Sequence, residues 1–374
     1  MQRGSRYNMA ERKLRIGIVG ATPRVGWGPR AHIPAYRALP EVELAAVCTA
    51  HDETAQAAAA EFGVSEYYSD YHELVRSPNV DVVSVVTRAL LHHPISVAAL
   101  EAGKHVYCEW PLAISSQQAS ELVDLATARG LRHIVGLQTR FAPAFLHMKE
   151  LLDQGYIGRP LGFHMRMLLS GALQPRRSQY AFLAKKGTGV GVLYVSAGHA
   201  LDALQWLLGD IAELSAQLNA QITEWTLPDT GERVEVTTPD NLGLVARLKS
   251  GAVGAVQLSN TYIAPSGFSL EAFGTAGRLT ASSMGMLELS LVRLYGAKQG
   301  EQEAELPLPE RLVAVPGLPL ESQAYNIAQL FRGFAGAISA GTDLSPTFAD
   351  AMRLHQLLEA IERSSDTRSW VTVG

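Results

Sequence analysis

Short apolar runs alternate with helical patterns along residues 13–138, and this rhythm constrains the fold more than any other feature of the sequence. Each run has the length of a buried strand, and the patterns between them stop at glycines, as helices commonly do. Strands and helices that alternate at this spacing form a parallel sheet covered on both faces. The predicted strands are 14–19, 42–49, 80–87, 105–108 and 133–137. We therefore predict the α/β fold class, with a doubly wound Rossmann sheet at the N-terminus.

The rhythm changes after about residue 139, where strand-like runs follow one another through short loops. Strands joined in this way form a largely antiparallel sheet. The predicted strands are 161–169, 211–222, 242–249, 253–262, 270–273, 278–281 and 287–295, with helices at 142–154, 198–208, 324–340 and 347–364. The domain prediction is a disordered tail at 1–12, a dinucleotide-binding Rossmann domain at 13–138, and a C-terminal α/β domain with an open, mainly antiparallel sheet at 139–374.

Composition excludes several classes of function. The formal net charge of −4 disfavours a nucleic-acid partner, because nucleic-acid binders carry a basic surface. No apolar run reaches the roughly 18 residues of a membrane span, so we expect no membrane partner. Two cysteines, Cys48 and Cys108, cannot build a disulfide framework and favour a cytoplasmic location. The adjacent His92 and His93 lack neighbouring acidic or thiol ligands, so we predict no metal site.

The turn after the first predicted strand is the place where this fold binds the pyrophosphate of a dinucleotide. The run 20–28 departs from the G-x-G-x-x-G fingerprint, because Thr22 occupies the second glycine position and the next glycine is delayed to Gly26. Such a motif also fits a strand-to-helix turn without a ligand. We take Gly20, Thr22, Arg24, Gly26 and Trp27 as candidate cofactor residues.

The tip of the second predicted strand selects between NAD and NADP. An acidic residue there would bind the ribose hydroxyls of NAD and repel the 2′-phosphate of NADP. Here Thr49 and His51 follow the strand, and Arg24 in the glycine turn lies within reach of the same side. The sequence therefore favours NADP slightly over NAD.

Several motifs together resemble the Gfo/Idh/MocA oxidoreductase family, and the resemblance covers about residues 13–371. They are found at 87–92, 99–106, 109–113, 155–158, 198–202 and 274–277. The resemblance implies a Rossmann domain followed by an α/β domain whose open sheet makes oligomer contacts, and hence a homodimer or homotetramer. It also implies a bound NAD(P) and a small-molecule substrate among the sugars, inositols and related polyols.

Other candidate residues lie at the carboxyl ends of the predicted strands, where ligands bind in open α/β sheets. We expect Thr87, His92, Glu109 and Gln138 at the cofactor, and Arg140 at the substrate.

Two positions depart from the family pattern. The family motif is Glu-Lys-Pro, with a lysine that contacts nicotinamide and substrate, and Trp110 replaces that lysine here. The family tends to place an aspartate four residues before its catalytic histidine, and that position is Val195. Of the lysine, aspartate and histidine that the resemblance implies, His199 is thus the one that remains. With Gly26-Trp27, these departures resemble the subgroup of galactose-pathway repressors in yeast, in which the pocket binds NADP as a signal without turnover.

Oxidation of an alcohol requires a group that takes the hydroxyl proton. His199 is the candidate base, because its ordinary pKa lies near neutrality. Asp202 could orient it, although a structural role is the stronger alternative, and Tyr180 is a candidate substitute proton donor. Arg176 and Tyr180 belong to the loop 174–186, which either contacts substrate or is a solvated charged loop. Trp110 stacks on nicotinamide or substrate, or forms a pocket wall.

These observations favour an NAD(P)-dependent oxidoreductase that acts by hydride transfer on a sugar, polyol or related carbonyl compound. Two alternatives stay open. One is a non-catalytic, NADP-binding regulatory protein, and the other is a redox-neutral, NAD-dependent lyase or glycosidase.

Overall fold

The N-terminal sheet is parallel throughout, as a computed structural model describing residues 12–24 and 26–373 shows. Its strands are β1 (Leu14–Val19), β2 (Val42–Cys48), β3 (Glu66–Tyr68), β4 (Val82–Val85), β5 (His105–Glu109) and β6 (His133–Gly136). Their order is β3-β2-β1-β4-β5-β6, which is the order of a dinucleotide-binding fold. The predicted Rossmann sheet is thus confirmed. The predicted tail lies outside the described residues except for Arg12.

The helices of this half begin and end where local signals place them. They are α1 (Ile33–Arg37), α2 (Asp52–Phe62), α3 (Tyr71–Arg76), α4 (His92–Glu101) and α5 (Ser116–Arg129). Ser115 caps α5 by accepting a hydrogen bond from the Gln118 amide, and α5 ends at Gly130 in the left-handed conformation. Before α1, a π-helical turn at Gly28–His32 leads directly into the helix.

The second sheet is mixed and mostly antiparallel, as predicted. Its strands are β7 (Pro160–Leu168), β8 (Ile211–Asn219), β11 (Asn241–Leu248), β12 (Val253–Ser259), β13 (Gly267–Gly274), β14 (Gly277–Ser283), β15 (Arg293–Lys298), β16 (Ala304–Glu305) and β17 (Val371–Thr372), with β9 (Glu224–Thr226) and β10 (Arg233–Glu235) in a separate hairpin. Strands β7 and β12 pair in parallel, and their neighbours pair antiparallel. We call residues 224–235, which contain β9 and β10, the cap hairpin.

The last helices return to the N-terminal half. The helices after β6 are α6 (Pro143–Asp153), α7 (Gly198–Leu208), α8 (Tyr325–Ala340) and α9 (Phe348–Thr367). Tyr325 and Phe331 of α8 share one buried cluster with Ile16 and Tyr36. Helix α9 packs against both α5 and β8. The layer that covers the Rossmann sheet therefore includes chain from beyond the predicted boundary at residue 139.

One predicted strand is placed wrongly. The run 287–295 was expected to be extended, but the strand begins at Arg293. Before it, the Leu289 amide donates to the Met286 carbonyl at 3.1 Å, which closes a turn that buries Leu287. The apolar residues of that turn imitate the alternation of a strand. None of the described helices is both long and apolar enough to cross a membrane.

Candidate functional site

The turn after β1 has no space for side chains at Gly20 and Gly28. Gly20 has a φ of +105°, and a Cβ there would lie 2.0 Å from the Val86 carbonyl oxygen. A Cβ on Gly28 would lie 2.8 Å from the Gly20 carbonyl oxygen. Gly26 also has a positive φ, of +85°, while Thr22 is half-buried beside it. A close strand-to-helix turn of this kind can bring backbone amides to a pyrophosphate, so these residues fit a dinucleotide.

Glu109 lies beside this turn and is held by three donors. Its Oε1 accepts from Trp27 Nε1 at 3.2 Å, from the Tyr107 hydroxyl at 2.7 Å and from His32 Nε2 at 2.6 Å. Burial raises the pKa of Glu109, but the hydrogen bond and charge of His32 and the Tyr107 hydroxyl outweigh burial and bring it below its ordinary value. The carboxylate is therefore ionised at neutral pH. The structure joins two predicted residues, Trp27 and Glu109, into one cluster.

The polar chain behind Glu109 continues into the core. His32 Nδ1 lies 2.9 Å from the Tyr36 hydroxyl, which lies 2.7 Å from Ser84 Oγ. In the neutral ring, an Nε2 that donates to Glu109 leaves Nδ1 to accept from Tyr36, whereas in the imidazolium both nitrogens donate. This arrangement fixes Oε1 of Glu109. Its Oε2 hydrogen-bonds no described residue, and the side chain is 11% exposed, so Oε2 is available to a ligand.

The tip of β2 carries no acidic side chain. Thr49 is buried, and its hydroxyl contacts the His51 carbonyl at 3.1 Å and the Thr54 hydroxyl at 2.6 Å. The His51 side chain is exposed. Arg24 has a side chain that is 90% exposed, with its Nε 4.0 Å from Glu61 Oε2. Thr49 and His51 thus follow the carboxyl end of β2, the edge at which an adenosine ribose binds in this fold.

Trp110 is packed into the buried core between the two halves of the chain. It is 6% exposed, and its indole Nε1 donates to the Tyr194 carbonyl at 2.7 Å. One face of the indole packs on His355 of α9, with ring centroids 4.8 Å apart. A Cβ on Gly198, at the start of α7, would lie 2.0 Å from the indole nitrogen. The glycine therefore permits α7 to approach Trp110 closely.

His199 follows Gly198 and lies at the centre of the site. It is 5% exposed, and its Nδ1 is buried with no hydrogen-bond partner among the described residues. Burial lowers the pKa of His199 to about 4, although the charge of Glu109 opposes this shift. The imidazole is neutral at physiological pH and can accept a proton. Val195 and Ser196, one helical turn earlier, line an adjoining cavity.

Asp202 and Arg140 pair with each other instead of serving the site. The carboxylate of Asp202 accepts from Arg140 Nε at 2.9 Å and from its Nη2 at 2.5 Å, and Arg140 Nη1 donates to Ser345 Oγ at 2.7 Å. Burial raises the pKa of Asp202, and Arg140 opposes that shift. Two buried charges require such pairing. Asp202 therefore contacts Arg140 instead of orienting His199, and the substrate contact of Arg140 stays a prediction.

His92 has a structural position. Its Nδ1 lies 2.7 Å from the Pro111 carbonyl oxygen, and its Nε2 lies 3.1 Å from that of Thr87. The ring thus connects the segment after β5 to the loop after β4. Both nitrogens face backbone oxygens, so neither is free for a cofactor atom, and a contact of His92 with the cofactor stays a prediction. Thr87 is half-buried at the carboxyl end of the sheet.

Gln138 and Tyr180 have different surroundings. Gln138 is 2% exposed, and its Oε1 is buried without a hydrogen-bond partner among the described residues. It follows β6 at the ligand-binding edge, as predicted. Tyr180 is 40% exposed, in a 3₁₀ turn at Ser178–Ala184, and it does not line the cavity. The role of Tyr180 as a proton donor stays a prediction that this position does not support.

The cavity beside His199 has a volume of about 240 Å³ and lies in the C-terminal half. The cap hairpin covers it, and Arg176 lies against Trp225 of that hairpin. Its lining residues are Leu169, Gly171, Ala172, Arg176, Leu183, Gly191, Val192, Val195, Ser196, Ile222, Trp225, Val236, Thr238, Pro239, Asp240, Asn260 and Met286. Of the predicted substrate residues, Arg176 thus reaches this cavity. In residues 12–24 and 26–373, no cluster of three His, Cys, Asp or Glu side chains suits a metal ion.

Sequence reasoning missed the residues that hold Glu109, although the sequence contains signals for them. Tyr107 lies two residues before Glu109 and thus on the same face of β5. His32 and Tyr36 are four residues apart in the helical segment, a spacing that brings side chains together. Trp225 gave no signal, because the short cap hairpin has no clear strand pattern.

Two family profiles match the chain. Residues 14–137 match the oxidoreductase family with an NAD-binding Rossmann fold, and residues 145–280 match the GFO/IDH/MocA C-terminal domain.

Known proteins resemble the chain over nearly its whole length. Levoglucosan dehydrogenase of Pseudarthrobacter phenanthrenivorans is 28% identical, over 96% of this chain and 98% of that protein. The galactose/lactose metabolism regulatory protein of Saccharomyces cerevisiae is 25% identical, over 96% of this chain and 94% of that protein. A structure of levoglucosan dehydrogenase in complex with NADH and L-sorbose superposes with a TM-score of 0.85 at 27% identity, covering 97% of this chain and 99% of that one.

Proposed function

The chain belongs to the Gfo/Idh/MocA family of oxidoreductases, and we propose that it is an NAD(P)-dependent enzyme that oxidises or reduces a sugar, polyol or related carbonyl compound by hydride transfer. The observation that carries this proposal is the position of His199. Its Nδ1 is buried without a partner among the described residues, the charge of Glu109 acts on its imidazole, and Val195 and Ser196, one helical turn earlier, line the cavity. A neutral base next to a sugar-sized cavity is what alcohol oxidation requires.

The residues of the chain divide the work between proton transfer and positioning. Bound NAD(P) would supply the hydride acceptor or donor. His199 takes the hydroxyl proton of the substrate, and the nearby charge of Glu109 stabilises the imidazolium that results. Trp110 excludes water from the same region, because its ring is buried against His355.

The test uses cofactor titration followed by single-turnover absorbance at the nicotinamide band, against a panel of sugars and polyols. We expect His199→Ala to bind cofactor normally and to lower the hydride-transfer rate on the order of 100-fold or more. His72→Ala, at an exposed position of α3, is the control and should retain the rate. Tight cofactor binding with no turnover of any sugar that binds would contradict an enzymatic function.

A non-catalytic regulator is the second candidate, and Trp110 favours it. The indole occupies the position at which the family keeps a lysine, and it has no mobile proton to give. Tyr194 and His355 hold it in place. The same titration distinguishes the candidates, because a regulator would bind cofactor and remain inert with every sugar.

We also infer a preference for NADP, supported by the tip of β2. Arg24 is exposed there, and neither Thr49 nor His51 would repel a 2′-phosphate. Arg24→Gln should weaken NADPH binding about 5- to 10-fold, a loss typical of an exposed charge-assisted contact, and leave NADH binding unchanged. If Arg24→Gln weakened NADPH binding and NADH binding equally, Arg24 would not bind the 2′-phosphate.

We propose a homodimer or homotetramer built on the open face of the second sheet, in a cytoplasmic protein whose substrate is a small molecule. Val245 and Val253 are 44% and 50% exposed on that face. An exposed apolar sheet face commonly marks an interface. Light scattering should show Val245→Glu as a monomer, whereas Ile263→Glu, in an exposed loop, should assemble like the unaltered chain. A monomeric unaltered protein would contradict the proposal.

A further inference from the structure

The cavity beside His199 contains polar atoms that the protein itself does not satisfy. Arg176 Nε, Trp225 Nε1 and Thr238 Oγ1 are all buried, and none has a hydrogen-bond partner among residues 12–24 and 26–373. All of these residues line the cavity. More than nine in ten buried polar groups in proteins are satisfied, so three unpaired groups in one cavity indicate a ligand with acceptor oxygens.

The charge of Arg176 is not balanced. Its one hydrogen bond runs from Nη2 to the Gly171 carbonyl at 2.7 Å, and it forms no ion pair within the described part of the chain. The guanidinium lies 5.1 Å from the centre of the Trp225 ring. Burial lowers the pKa of Arg176. A half-buried cation of this kind is costly unless a ligand supplies the counter-charge.

The acidic residue of the cavity does not supply that charge. Asp240 accepts from the amides of Gln221 and Ile222, both at 2.8 Å, and from Asn241 Nδ2 at 2.7 Å. Its carboxylate is therefore used to hold the chain that enters the cap hairpin. Asp240 therefore forms no ion pair with Arg176 in the described part of the chain, and the guanidinium keeps no hydrogen-bonded counter-charge.

We propose that this cavity binds the carboxylate of an acidic monosaccharide, a uronic or aldonic acid, with Arg176 as its anchor. A flat guanidinium suits a carboxylate, and the cavity volume of about 240 Å³ suits one sugar unit. The indole of Trp225 and the hydroxyl of Thr238 donate to further substrate oxygens. The inference rests on the proposed function, because the reacting hydroxyl must lie at the other end, towards His199. A phosphate dianion would bring two charges to a single guanidinium.

The test compares D-glucuronate, D-galacturonate and D-gluconate with D-glucose, D-galactose and D-glucose 6-phosphate. Calorimetric Kd values are measured with cofactor present, and turnover is recorded separately. We expect the acids to bind at least 10-fold more tightly than the neutral sugars. Arg176→Gln should weaken acid binding on the order of 10- to 100-fold, which is the loss expected for a charge-assisted hydrogen bond, and leave neutral sugars unchanged. Trp225→Phe, which keeps the ring but removes the donor, should weaken binding by less.

Arg177→Gln is the matched control, since Arg177 is exposed and does not line the cavity. Acid binding that depends on Arg176 supports the inference even when no sugar is turned over, a result that would contradict the proposed function alone. Turnover of neutral sugars without acid binding would overturn the inference and leave the function standing. Preference for the sugar phosphate, or no binding of any acid, would also overturn the inference.

Discussion

At the scale of single residues, the hydroxyl of Tyr36 is the link on which the position of Glu109 depends. It joins Ser84 to His32, and His32 in turn contacts the Oε1 of Glu109. We predict that Tyr36→Phe lowers the free energy of unfolding by about 1–3 kcal/mol, because it leaves buried polar partners unsatisfied. It should also weaken cofactor binding several-fold. Urea denaturation and cofactor titration measure both effects.

The control for that prediction is Tyr67→Phe. Tyr67 is 43% exposed, so removal of its hydroxyl should change the free energy of unfolding by less than about 0.5 kcal/mol. If Tyr36→Phe is as stable as the unaltered protein, the polar chain does not hold Glu109.

Glu288 carries a second prediction at this scale. It is 3% exposed, and its Oε2 has no partner among the described residues. Burial, with a further contribution from the charge of Glu109, raises the pKa of Glu288 from 4.5 to about 8. The unfolded chain loses this proton near pH 4.5 and the folded protein near pH 8, so Glu288 reduces stability progressively between those values. Glu288→Gln should therefore gain stability relative to the unaltered protein as pH rises from about 5 to 8, by about 3–4 kcal/mol.

Thermal unfolding at several pH values measures this gain. Glu232→Gln is the matched control, because Glu232 is exposed and its variant should follow the curve of the unaltered protein. A constant difference between Glu288→Gln and the unaltered protein at every pH would show that Glu288 does not keep its proton in the folded state.

The sequence predicts which residues lie at the site when they follow the end of a strand. It does not predict the role of a residue whose charge pairs with a side chain distant in the chain. Glu109 and His199 were expected at the site, and the structure places them close enough for the charge of Glu109 to act on the imidazole. Arg140 was expected at the substrate because of its position after β6, but the buried carboxylate of Asp202 engages it. Sequence position gives the edge of the sheet, whereas the pairing of buried charges depends on residues distant in the chain.

At the scale of elements, helices were predicted more closely than strands. The predicted helix at 198–208 coincides with α7, because glycine marks both of its ends. The predicted strand at 287–295 failed, and β3 and the cap hairpin were missed. Short strands depend on their neighbours for hydrogen bonds, so local sequence says little about where they lie.

The capping box of α9 supports a prediction for a whole helix. Thr347 Oγ1 accepts from the Asp350 amide at 3.3 Å, and Asp350 Oδ2 accepts from the Thr347 amide at 2.6 Å. Thr347→Ala should lower the free energy of unfolding by about 1 kcal/mol, measured by urea denaturation. Thr367→Ala, at the exposed last turn of the same helix, should cost less than about 0.5 kcal/mol. Equal losses for the two variants would mean that the box does not stabilise α9.

At the scale of the whole molecule, the interior contains histidines from both halves of the chain. His133 lies on β6, His199 on α7 and His355 on α9. Burial lowers the pKa of each to about 4. His133 accepts from the Phe348 amide at 3.1 Å and His355 from the Ala113 amide at 3.4 Å, while His199 belongs to the site, so the stability of the fold and the protonation of its base change over the same pH range.

This burial makes the folded protein sensitive to acid. In the unfolded chain each of these histidines takes up a proton near its ordinary pKa of 6.5, while in the folded protein uptake waits until about pH 4. Their contribution to stability is fully present above pH 6.5 and is lost as pH falls towards 4. Each adds up to about 1.4 kcal/mol of slope per pH unit in that window. We predict that urea midpoints fall steeply from about pH 6.5 to 4.5. His355→Gln should reduce the slope of unfolding free energy against pH by the contribution of about one proton, because one titrating histidine is removed. His72→Gln, at an exposed residue, should leave that slope unchanged. A slope that is the same in His355→Gln and the unaltered protein would show that His355 titrates alike in the folded and unfolded states.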